Sequence, residues 1–207
     1  MAVIPVKEIE AKSLSKKFGR TWIFRDLNFS VKTGSSLAVV GPNGSGKSTL
    51  LQILAGIQRP SLGAVLFTAD GLTIPDHEKN ESIGFISPLF LPYRELSGRE
   101  NLEFAARDKA GLARSCELLD MLGLDRHKDK QVKSYSTGMI QRLKYCIALC
   151  GDPFFLFLDE PGSNLDDDGR EAMYRHLVSI KNERVLVIAT NDQNEAALCS
   201  RELLLGS

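Results

Sequence analysis

Residues Gly41, Pro42, Asn43, Gly44, Ser45, Gly46, Lys47 and Ser48 read GPNGSGKS and satisfy the spacing G-x-x-x-x-G-K-[ST]. That spacing serves one chemistry, the cradling of phosphate oxygens. Gly44 and Gly46 let the backbone curl until consecutive N–H groups point inward, and the positive end of a following helix adds to the field. Lys47 can reach β- and γ-phosphates as a point charge, Ser48 can offer its hydroxyl to Mg²⁺, and Thr49 adds a phosphate contact. Farther on, the apolar run FFLFLDEP delivers Asp159 to a strand end, where it could hold Mg²⁺ through water. Glu160 comes next, placed to orient an attacking water or take its proton. Alone, an Asp-Glu pair after a strand would more often open a helix; beside a phosphate loop it reads as metal ligand and base. A third polar tip closes VLVIATND, where five apolar residues run into Thr190, Asn191 and Asp192. In open α/β sheets, ligands lie beyond the carboxyl ends of the strands.

The elements that must position these tips are visible in the patterning. Residues 3–31 alternate and turn as antiparallel strands, with Gly19 and Gly34 as punctuation. SSLAVVGPNGSGKSTLLQILAG then reads as strand, loop and helix, closed by Gly56. The polar stretch 69–82 reads as a loop carrying insertions. Within 88–150, SGRENLEFAARDKAG, RSCELLDMLGL and STGMIQRLKYCIAL place apolar residues at three and four spacing and predict helices. PFFLFLDEP and RVLVIATND, separated by the helical DDDGREAMYRHLVSI, predict parallel strands buried on both faces. The expected fold class is α/β, a P-loop nucleotide-binding fold in one domain, 1–207. Residues 1–86 and 151–207 would form the nucleotide-binding core with an N-terminal antiparallel β-subdomain, and 87–150 an inserted helical subdomain.

Composition narrows the partners. Lys plus Arg and Asp plus Glu both number 26, so no global field draws the chain to nucleic acid or an anionic membrane, and no nucleic-acid partner is expected. No apolar run approaches the length of a bilayer span, and the opening MAVIPVKEIEAKSL carries acidic residues where a signal peptide would be apolar, which predicts a cytoplasmic chain. Cys116, Cys146, Cys150 and Cys199 lack both zinc spacing and disulfide density; Cys146 and Cys150 would share a helix face with Leu143 and Ile147 as small buried hydrophobes. His77, His127 and His176 show no ligand spacing.

Three further motifs make the chain resemble the ATP-binding cassette ATPases over nearly its whole length. YSTGMIQRL, residues 135–143, is similar to the family signature, with Ser136 and Gly138 where the γ-phosphate of ATP held by the opposite subunit is contacted. A helix starting after Ser136 would independently present free N–H groups to a phosphate. GSNLD, residues 162–166, resembles the loop that follows the catalytic Glu, and Phe18 in KKFG matches the aromatic that stacks on adenine, with Ile23 a second contact. The resemblance implies ATP and Mg²⁺ as cofactors, head-to-tail pairing with a second cassette, and a separate transmembrane permease that holds the chain on the inner face of the cell membrane. The chain's compact length is similar to haem-exporter and multidrug-type cassettes.

Departures from the family pattern are equally specific. Asn191 stands where the family carries a His that contacts the γ-phosphate; an amide can donate a hydrogen bond but cannot carry a proton near neutral pH. Pro88, or Ser87, stands where a Gln reaches Mg²⁺, and Met139 replaces a Gln of the signature. The resemblance therefore implies ATP hydrolysis with Lys47, Glu160 and Asn191 as its catalytic residues, slowed by these replacements. A cassette working without a membrane partner, or a slow nucleotide-binding half of a heterodimer, are the alternatives.

Overall fold

Alternating residues build the first elements of the computed structural model, which describes residues 6–206. Strands β1 (Lys7–Phe18) and β2 (Thr21–Lys32) form a long antiparallel ribbon around a two-residue turn at Gly19 and Arg20. Register shifts between Ala11 and Lys17 twist the ribbon, and alternate residues Ile9 and Ala11, then Leu14, face the core. There follow β3 (Ser36–Val40), α1 (Lys47–Leu54), β4 (Leu62–Ala69), β5 (Leu72–Thr73), α2 (Asp76–Glu81) and β6 (Ile83–Ile86). The helical segment holds α3 (Gly98–Ala105), α4 (Lys109–Met121) and α5 (Thr137–Leu149). The chain returns through β7 (Phe155–Asp159), α6 (Asp167–Ile180), β8 (Val185–Thr190), α7 (Gln193–Ala196) and β9 (Arg201–Leu204).

Two sheets result: an antiparallel one in the order β2-β1-β4-β5 and a parallel one in the order β6-β7-β8-β3-β9. Every residue of β7 and β8 is buried, as expected of parallel strands covered on both faces. Their side chains alternate between two apolar clusters. Phe155, Phe157, Val185 and Val187 pack with α1 and β1, whereas Leu156, Leu158, Leu186 and Ile188 pack with residues of α4, α5 and α6. Leu143, Tyr145 and Cys146 of α5 belong to the second cluster, so the helical segment is anchored on the sheet itself. Cys146 and Cys150 are buried, as their helical spacing implies.

The stretch 69–82 departs from the expected loop. It contains β5, which pairs with β4 through Thr68–Thr73 and Ala69–Leu72, and α2. Helix α2 buries no residue, so it has no apolar periodicity to read; Asp76 and Lys79, bonded at 2.5 Å, link its two turns. Boundaries in the helical segment shift as well. SGRENLEFAARDKAG is split, because α3 stops at Ala105 and Asp108 caps α4, accepting from the Gly111 N–H at 2.6 Å. Among the described residues no helix is long and apolar enough to cross a membrane.

Candidate functional site

Parallel pairing in register brings the three polar tips to one sheet edge. Asp159 pairs with Ala189 and Val40 with Thr190, so the residues that follow, 160, 191 and 41, leave the sheet side by side. Between β3 and α1 the phosphate loop turns at Gly46, whose φ of 99° favours glycine. A Cβ there would also stand 2.3 Å from Ile23 Cγ2, which seats Ile23 directly on the loop. No side chain caps the N-terminus of α1, leaving its first N–H groups for a ligand. Lys47 is only 6% exposed, and its ammonium donates to the carbonyls of Gly41 at 2.7 Å and Pro42 at 3.1 Å.

Asp159, the last residue of β7, is 1% exposed, and neither carboxylate oxygen has a hydrogen-bond partner. Burial pushes its pKa up; the Ser48 hydroxyl pulls it down, the Glu160 charge raises it and Lys47 lowers it. An orphaned carboxylate beside a hydroxyl is a hard-oxygen pair that fits Mg²⁺. Among the described residues there is no group of three His, Cys, Asp or Glu able to hold an ion alone, so the remaining ligands would come from phosphate and water.

Glu160 follows with φ 48°, a left-handed conformation that costs a non-glycine residue about 1–2 kcal/mol. The Glu160 N–H bonds Ala189 O at 2.9 Å, and Gln141 Nε2 donates to the carbonyls of Glu160 at 3.3 Å and Pro161 at 2.8 Å. Opposite, Asn191 Nδ2 donates to Asn43 Oδ1 of the phosphate loop at 2.5 Å. Asn43, Glu160 and Asn191 line one cavity of about 350 Å³, together with Thr190, Asp192 and Glu195.

Not all the expected site residues meet there. Ser136 caps α5, accepting from the Met139 N–H at 3.2 Å, and is exposed; Gly138 packs against the carbonyl of Asn164, where a Cβ would approach to 2.8 Å. Neither lines the cavity that holds Asn43, Glu160 and Asn191. Phe18 sits half-exposed at the tip of the β1–β2 ribbon, with the Lys16 ammonium 4.9 Å from its ring. Ser87 is buried, its hydroxyl accepting from the Leu89 N–H at 3.2 Å, while Pro88 is exposed.

Residues 24–163 match the family model described as ABC transporter. The chain belongs to the ABC transporter family. It is 31% identical over 208 residues to the sulfate/thiosulfate import ATP-binding protein CysA of Pectobacterium atrosepticum, covering 95% of this chain and 63% of the relative. It is 34% identical over 203 residues to the uncharacterized ABC transporter ATP-binding protein YhcH of Bacillus subtilis, covering 95% of this chain and 66% of that protein. The chain thus spans under two thirds of the length of these curated relatives. Among solved structures, the dimeric post-hydrolysis state of the ATP-binding cassette MJ0796 bound to ADP and Pi is similar with a TM-score of 0.82. That likeness has 27% identity and covers 95% of this chain and 94% of that one.

In this ABC cassette several side chains at the site carry no sequence signal of their own. Gln141 and Arg142 lie inside α5, and Arg142 reaches from it to Leu122 O at 3.1 Å and to Asp166. Lys144, buried one turn after Ile140, donates to the carbonyls of Ser87 at 3.2 Å and Pro88 at 3.4 Å. Burial lowers its pKa. Glu195 is buried beside Gly162. A polar side chain on an otherwise apolar helix face is the only hint the sequence gives of such contacts.

Proposed function

We propose that this chain binds MgATP, pairs head to tail with a second cassette and hydrolyses ATP to drive transport through a separate membrane permease. The observation that carries the reading is Asp159, buried with two unpartnered oxygens at the foot of a phosphate loop whose helix end is free. A buried, unpaired carboxylate is costly, and a bound cation offsets that cost.

The chain's own residues divide the work. Lys47 exchanges the carbonyls of Gly41 and Pro42 for β- and γ-phosphate oxygens, and the N–H groups of Gly44 to Thr49 surround the phosphates. Ser48 and Asp159 hold Mg²⁺, which when bound neutralises charge on the phosphates. Glu160 takes the proton of the attacking water, and Asn191 donates a hydrogen bond to the γ-phosphate once it leaves Asn43. Phe18 stacks on adenine beside Ile23, and Ser136 with Gly138 serves the nucleotide of the partner cassette. In this reading 1–86 with 151–207 acts as the nucleotide-binding core, and 87–150 carries the signature. Turnover is slow, because Asn191 supplies no acid–base help and Pro88 no side-chain ligand.

An apolar surface favours a membrane partner over a free-standing cassette. After β6, Leu89 is 82% exposed, and Phe90, Leu91 and Tyr93 follow it to the surface, where Tyr93 meets the 70% exposed Phe104 edge-on at 5.0 Å. Beside them lies a groove of about 220 Å³ lined by Gly84, Phe85, Phe90 and Arg107. Such a patch suits a protein partner and would place the chain peripherally at the inner face of the membrane. Gentle detergent extraction and capture of this chain tests the reading. A stoichiometric multi-span protein supports it, and recovery only as a soluble homodimer, with ATP present, refutes the transport role.

A further inference from the structure

The loop that follows Glu160 is gripped from two sides. From α5, Gln141 bonds the carbonyls of Glu160 and Pro161, and Arg142 bonds Asp166. On the other side, Glu195 Oε1 accepts from the Gly162 N–H at 2.6 Å and from the Tyr174 hydroxyl at 2.9 Å. Glu195 is 3% exposed, and among the described residues no Lys, Arg or His forms an ion pair with it. Gly162 is built into the contact: a Cβ would stand 2.4 Å from Tyr174 Oη and 2.5 Å from Glu195 Oε1. Burial, then the Glu195 charge, push the Tyr174 pKa up and keep the hydroxyl a donor.

A buried carboxylate without a counter-ion is expensive, and here it is spent as an acceptor for two donors. Its place in the chain says why. Glu195 lies in α7, which starts two residues after Asn191, so one side chain joins the strand tip bearing Asn191 to the loop bearing Glu160. Both ends line the same cavity.

We propose that Glu195 is a positioning residue that locks the loop of Glu160 to the strand tip of Asn191, so that the two ends of the cavity they share move as one. Gln141 and Arg142 extend the lock to α5, whose cap Ser136 serves the partner's nucleotide. This rests on the ATPase reading above.

The test uses the full chain with MgATP as probe, following phosphate release and amide hydrogen exchange in Glu195→Met, Glu195→Gln and Tyr174→Phe. Glu195→Met is expected to lower kcat by about tenfold or more with KM within about threefold, and Glu195→Gln, which keeps a carbonyl acceptor, to recover most of the loss. Exchange in Glu195→Met is expected to speed up by about tenfold at Gly162 and at Asn191 together. Unchanged kcat, or faster exchange at Gly162 alone, overturns the lock. If Glu195→Met does not fold, Tyr174→Phe carries the test: kcat lower by about two- to fivefold supports the lock, and wild-type kcat refutes it. A wild-type chain without phosphate release contradicts the ATPase reading instead, and the paired exchange response still decides the lock.

Discussion

At the scale of the residue, Asp159 sets chemistry against stability. Burial raises its folded pKa above the unfolded value, so its contribution to stability is fully favourable only below the unfolded pKa and is lost as pH rises through the folded one. At neutral pH the burial of this carboxyl therefore destabilises the nucleotide-free protein. Asp159→Asn is expected to raise the melting temperature at pH 7 by a few degrees, with the gain disappearing in acid, and to remove the Mg²⁺-dependent stabilisation by ATP. Calorimetry across pH with and without MgATP reads both effects. For Asn191, substitution by His is expected to leave kcat equal or raise it by up to about tenfold, and to add a pH dependence around 6.5. Steady-state phosphate release over pH 6–8 checks it, and a His variant slower by about tenfold contradicts the role given to this position. Lys47, Ser48, Asp159 and Glu160 are legible in the sequence because each follows contiguous, local cues. Glu195 and Gln141 are not, since their partners lie 33 and 20 residues away and only the fold brings them close.

At the scale of the element, α5 is a bracket between regions. Its N-terminus is capped by Ser136, its middle grips the loop after Glu160, and Lys144 holds the main chain of Ser87 and Pro88. The loop after β6 therefore answers to α5 through its backbone, where a Pro88 side chain offers nothing. Lys144→Met removes a buried cation that has two carbonyls and no carboxylate, so it is expected to keep or raise the melting temperature. Amide exchange at residues 89–91 should speed up by about tenfold. Unaltered exchange there would show that Lys144 does not hold the loop. Strands β7 and β8 are readable as continuous apolar runs, and α1 follows from the loop that opens it. Strands β6 and β9 span four residues each, too short for a period to emerge, and α2 has no buried face.

At the scale of the whole molecule, parallel strands in register gather the candidate site. Two apolar clusters fix the sheet from both faces, and β3, β7 and β8 all end at one edge, so local motifs separated by over a hundred residues become one site. The same edge leaves Ser136 and Gly138 outside the cavity, and in our reading a second cassette completes it. In that reading Glu160 drives hydrolysis in such a pair. The most direct test follows phosphate release and molecular mass of wild type and Glu160→Gln, each with MgATP. Wild type is expected to show slow, Mg²⁺-dependent release, and Glu160→Gln to lose turnover by about a hundredfold or more and to accumulate as an ATP-bound dimer. Wild-type turnover by Glu160→Gln, or a variant that stays monomeric with saturating ATP, contradicts that reading.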